Sequence, residues 1–153
     1  MNVEPVVAPP RYERKEWLSI LAKARADEVI SAWEALGERV GYQALRAPEV
    51  GLILVRGRMG GTGDAFNLGE MTLTRAAVRL ESGQTGVAYV AGRERRHAEI
   101  AAALDAMMQS PDLRPRVEQP VIARLAGAQQ TRRAVAARKA AATKVDFFTM
   151  VRS

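Results

Sequence analysis

The stretch RGRMGGTGDAFNLGEMTLTR, residues 56–75, concentrates the groups that could do chemistry in this chain. Arg56, Arg58 and Arg75 carry guanidinium forks suited to phosphate or carboxylate. Gly60, Gly61 and Gly63 allow backbone amides to converge on an anion, let the chain turn sharply, or let another protein approach closely. The segment lacks the lysine and hydroxyl of a nucleotide-binding P-loop and the spacing of a dinucleotide fingerprint, so its glycines leave those three readings open. Asn67 can fix a peptide group or a substrate hydroxyl, and Phe66 offers a partner an apolar ring. Glu70 is the one acid between Asp64 and Glu81, and neighbouring arginines suit it to an ion pair better than to general-base work. Asp64 reads as a local hydrogen-bonding group of the turn.

Elsewhere the chemistry is thin. The sequence contains no cysteine and a single histidine, His97, which excludes a disulfide scaffold, a Cys/His zinc site and a cysteine nucleophile in this chain. Histidine is the usual proton carrier near neutrality, but His97 lies at the edge of a helical apolar stripe, where packing or a hydrogen bond to the sheet serves as well. Thr62, Thr72 and Thr74 have no visible histidine and carboxylate relay to activate them. No complete set of reacting groups emerges.

These residues need a scaffold, and 153 residues suffice for one domain with its own core. The layout predicts a flexible arm over residues 1–11 and one domain over 12–153 that ends in an interaction tail. A helix is expected over 12–24 and a second, capped by Asp27, as far as Leu36, with Gly37 or Gly41 ending it; one helix across 12–36 fits as well. Ala47 before Pro48 departs from helix, and Gly51 releases a turn. Strands follow at 52–59, 71–80 and 85–92, the last two forming a hairpin. On the second strand Thr72, Thr74, Ala76, Val78 and Leu80 share a face, with Arg75 and Arg79 on the other. Residues 93–110 form the strongest helix, stopped by Pro111, and a link leads to helices at 121–125 and 128–144. The expected class is α+β: N-terminal helices, a small mostly antiparallel sheet, and C-terminal helices.

Charge and apolar residues are unevenly placed. From Gln119 to Val145 there is no acid, while Arg124, Arg132, Arg133, Arg138, Lys139 and Lys144 are present. Such a helix fits a solvated face, an acidic protein surface or nucleic acid. A basic nucleic-acid-binding module is thus the alternative function, opposed by aromatic content of 5% and by the lack of a recognised motif. Phe147, Phe148 and Met150 place an apolar cluster at the terminus, suited either to folding back on the core or to anchoring in a neighbour. No apolar run approaches the roughly 18 residues of a membrane span, and the N-terminal residues lack a signal-peptide layout, which predicts a cytoplasmic protein.

The central block from Leu45 to Asp105, with RGRMGGTGDAFNLGEMTLTR at its centre, resembles the PhnG-type subunit of the bacterial carbon-phosphorus lyase core complex, and the ending TKVDFFTMVR is similar too. The resemblance implies a subunit of a ribose 1-methylphosphonate 5-triphosphate synthase. In that family the G, H, I and L subunits together join an alkylphosphonate to the ribose of a nucleoside triphosphate with release of the base, and a separate radical S-adenosylmethionine subunit with an iron-sulfur cluster cleaves the carbon-phosphorus bond. It further implies stable assembly with the H, I and J subunits, above all the I subunit, no cofactor in this subunit, and the nucleoside triphosphate as substrate of the complex. Autonomous transferase activity is not expected.

Overall fold

The computed structural model describes residues 11–37 and 40–145. Residues 1–10 of the expected arm and the terminal cluster of Phe147, Phe148 and Met150 lie outside the described residues.

Two helices come first rather than one: α1, Arg14–Lys23, and α2, Ala26–Ala35. A capping box holds the start of α1, where the Glu13 amide donates to Glu16 Oε2 at 2.7 Å. Asp27 is not the cap of α2: Arg25 holds that position and Asp27 sits in the first turn, where its charge complements the helix dipole. Gly37, at φ 73°, is the left-handed residue that ends α2.

Three strands form an antiparallel meander in the order β1 (Tyr42–Arg58), β2 (Ala65–Leu80), β3 (Thr85–Ala91). The first two are much longer than the apolar runs predict, because 42–51 and 65–70 also pair. Pro48 and Gly51 therefore lie within β1, where an outer strand tolerates them. The FNLG segment is strand, with Leu68 left unopposed as a bulge between the pairs Val55 with Gly69 and Arg56 with Asn67.

Helix α3, Arg95–Met108, is buried nearly all round. One side packs on the sheet face made by Thr74, Ala76, Val78 and Leu80 of β2 and Ala88 and Val90 of β3. The other side is covered by Trp17 and Leu21 of α1, Val29 of α2, and Val117, Val121 and Ile122. Val117 comes from the link after α3, which is itself largely helical, and Val121 and Ile122 from the segment that follows: α4, Arg114–Val117, runs through a wider π turn at Glu118–Ala123 into α5, Arg124–Ala142. Glu118 anchors the chain entry by accepting the Arg11 and Tyr12 amides, and its pairing with Arg114 holds its carboxyl below the ordinary range. Helix α5 touches the body through Gln129, which donates to the Ile20 carbonyl at 2.7 Å, and Arg132, paired with Glu28 at 2.6 Å. From 133 to 145 every residue is exposed. No helix among the described residues is long and apolar enough to cross a membrane.

Candidate functional site

Met59–Gly61 turn the chain between β1 and β2. Gly60 and Gly61 take φ of 59° and 83°, left-handed values that explain two of the glycines. Gly63 is required for space, since a Cβ there would meet the Met59 carbonyl oxygen at 2.6 Å. The amides of Thr62 and Gly63 both donate to that same carbonyl. Two of the amides that an anion cradle would use therefore close the turn instead. The segment is a tight corner at the tip of a long ribbon.

Along that ribbon the three arginines divide. Arg56 and Arg58 alternate with Leu52 and Leu54 on one face of β1. Asn67 lies directly opposite Arg56, and Glu70 opposite Leu54, on that same face. Glu70 has no ion pair among the described residues, so the ion pair expected there is not formed within them. Arg58 reaches the Gly63 carbonyl at 3.4 Å. Arg75 stands on the opposite face, about 23 Å back along the ribbon by strand rise. There Glu49 accepts from Arg75 Nη2 at 3.0 Å and from Arg46 Nη1 at 3.1 Å. Hydrogen bonding to Arg75 and then Arg46 lowers the Glu49 pKa. The structure thus brings Arg56, Arg58, Asn67 and Glu70 onto one surface and leaves Arg75 out of it.

The ribbon is apolar on both faces. Leu52 and Leu54, 65% and 57% exposed, share a face with the arginines. Ile53, Phe66, Leu68 and Met71 are exposed on the other, where Phe66 and Leu68 lie over Gly57. A Cβ at Gly57 would stand 2.9 Å from Leu68 Cδ1, so this glycine lets the two side chains settle across the strand. That face continues past Leu73 to Tyr89 of β3, 58% exposed. Among the described residues neither face is covered at this end, because α3 packs only against the other end of the sheet.

The remaining candidates resolve into structural roles. His97 is buried and lies 2.8 Å by Nε2 from the Leu21 carbonyl. A carbonyl only accepts, so Nε2 carries the proton, and the expected bond to the sheet is instead one to α1. Thr74 donates to the Gly92 carbonyl at 2.6 Å, and Thr72 and Thr62 have no histidine beside them. Trp33 meets Tyr42 edge to face at 5.9 Å beside a cleft of about 300 Å³. Tyr42 donates to Glu99 at 2.5 Å, and burial, then that bond, raises its pKa to about 12. Sequence reasoning missed Asp105 of α3, fully buried yet bonded to α1 and β3. Its signal is a lone acid one turn after Ala101 on the apolar stripe of α3.

The family described as "Phosphonate metabolism protein PhnG" matches residues 12–153. The protein named "Alpha-D-ribose 1-methylphosphonate 5-triphosphate synthase subunit PhnG" from Rhizobium meliloti (strain 1021) is 44% identical over 143 residues, spanning 92% of this chain and 89% of that one. With a match across nearly its whole length and a relative of this identity, the chain belongs to the PhnG family of phosphonate metabolism proteins.

Proposed function

We propose that this chain is a non-autonomous subunit of the cytoplasmic assembly that transfers an alkylphosphonate to the ribose C1 of a nucleoside triphosphate, releasing adenine, in phosphonate breakdown. The observation that carries this reading is the β1–β2 ribbon, which exposes Leu52 and Leu54 on one face and Ile53, Phe66 and Leu68 on the other. A two-stranded ribbon clear of its own core is marginal in water, and large apolar side chains on both faces call for cover by other chains. The relative from Rhizobium meliloti, named as a synthase subunit, supports the same assembly. The partners are the H, I and J subunits of the carbon-phosphorus lyase core, with the I subunit as the main neighbour and the L subunit joining the synthase reaction.

In that reaction a phosphonate oxygen forms a bond to the ribose C1 while the C1–N bond to adenine breaks and its electron pair leaves with the base. Positive character develops on the sugar between two anionic groups, so holding the triphosphate and phosphonate in place contributes more than a protein nucleophile would. Arg56 and Arg58, with Asn67 beside them, supply part of that field at the ribbon tip, and neighbouring subunits supply the rest.

Steady-state adenine release by the co-expressed complex tests the positioning role. Replacing Arg56 and Arg58 by glutamine is expected to raise KM for the nucleoside triphosphate or phosphonate by about tenfold while the complex still assembles. Unchanged kinetics in an intact complex would leave these arginines without a part in the reaction.

A further inference from the structure

We propose that the outer edge of β1 over residues 50–56 accepts one additional strand from another subunit of the assembly, extending the sheet from three strands to four. The inference rests on the subunit reading above and names the mode of contact. The edge is located by the backbone. Gly92 N–H donates to the Thr72 carbonyl, so the polar groups of Thr72 face β3 and its partner Leu52 turns its own N–H and C=O outward. At the far end the Met59 amide donates to the Asp64 carbonyl, which directs the odd-numbered residues of β1 inward. β1 carries no bulge between these points, so Val50, Leu52, Leu54 and Arg56 all present unpaired backbone groups to the outside.

The usual protections of such an edge are missing. Among the described residues no strand or helix covers it, Pro48 lies before it rather than within it, and its side chains are a run of Val, Leu, Ile and Leu. A side-chain contact alone would leave those donors and acceptors unmet once water is excluded. An incoming strand satisfies them. Charge gives the strand its further chemistry. Arg56 and Arg58 serve the substrate anions, so the added strand brings apolar residues against Leu52 and Leu54 and no carboxylate beside the arginines. A second copy of this chain fits less well, since antiparallel self-pairing about Ile53 sets the charged Arg56 against the apolar Val50 and Arg58 against Pro48.

Hydrogen exchange resolved to single amides, by fragmentation mass spectrometry after quenching, tests this on the isolated chain and on the complex reconstituted with the other synthase subunits. In the isolated chain the amides of Ile53 and Val55 are slow and those of Leu52, Leu54 and Arg56 fast. In the complex the fast set slows a hundredfold or more, which docking through side chains alone would not produce. A complex that forms with Leu52, Leu54 and Arg56 still exchanging fast overturns the added strand but leaves the subunit reading standing. Failure of any complex to form sinks both. Protection that grows with concentration in the isolated chain, with a doubled mass, assigns the edge to a second copy and overturns the proposal as well.

Discussion

The indole of Trp17 donates its Nε1 proton to Asp105 Oδ1 at 2.8 Å inside the core. Around the same carboxylate, Arg14 Nη2 stands at 2.9 Å and the Val87 amide at 2.9 Å, with Gln109 Nε2 at 3.3 Å. One side chain therefore ties α1, α3 and β3 together, and Arg114 adds to the cluster by lying 5.0 Å over the Trp17 ring. A buried charge is tolerable when every oxygen is engaged, and its removal orphans several donors at once. Asp105→Ala is expected to lose about 3–5 kcal/mol in urea unfolding, and Trp17→Phe about 1–2 kcal/mol. An Asp105→Ala protein as stable as the parent would show that this network holds nothing together.

Close approach of α3 to β3 depends on Gly86. A Cβ there would lie 1.9 Å from the Ala102 carbonyl oxygen and 2.6 Å from the Ala106 nitrogen, both backbone atoms that yield only if the helix moves. Gly86→Ala should cost about 3 kcal/mol or more by thermal or urea unfolding, in the upper range of overpacked cores. A neutral effect would mean that α3 is free to shift on the sheet.

Tyr42 provides a pH signature. Burial and the bond to Glu99 place its folded pKa at about 12, above the ordinary value of 10.0. A raised acid keeps its proton longer when folded, so this contribution to stability is complete below pH 10, declines as pH rises through 10 to 12, and is gone above that window. Ultraviolet titration should find one of the three tyrosines ionising near 12, and Tyr42→Phe should abolish that step. A single transition near 10 for all three would contradict the buried hydrogen bond.

How much of this was legible in sequence depended on whether a residue's environment is local. The alternation of Thr74, Ala76, Val78 and Leu80 is imposed by a half-buried strand, and these four side chains do face α3. The same pattern set Arg75 on the opposite face, which is where it pairs with Glu49 rather than joining Arg56 and Arg58. Residues 43–51 and 65–70 gave no such rhythm because neither of their faces meets the core, so solvent-side composition concealed a strand. Pro48 and Gly51 deepened the ambiguity, since both are acceptable on an edge and both resemble turn residues. Asp105 and Gly86 owe their importance to atoms distant in sequence, and only the packed helix reveals them. The glycine turn was ambiguous for a different reason: the same residues serve an anion or a corner, and the bonds to the Met59 carbonyl distinguish the two.

Apolar cover of the ribbon is directly testable by removing what would be covered. Leu52→Ser with Leu54→Ser leaves the α3 core untouched, so the isolated variant should unfold within a few degrees of the parent. Its affinity for the partner subunits should fall by about 3 kcal/mol, on the order of a hundredfold. Normal assembly by a well-folded double variant would move the interface elsewhere on the chain.

The central claim is that this polypeptide reacts only in company, and the most direct measurement is adenine release from nucleoside triphosphate plus alkylphosphonate, followed before and after the partner subunits are added to the same purified chain. The account predicts no release above background from the chain alone and turnover once the partners are present. Sustained release by the solitary chain, at a rate comparable to the complex, would contradict it.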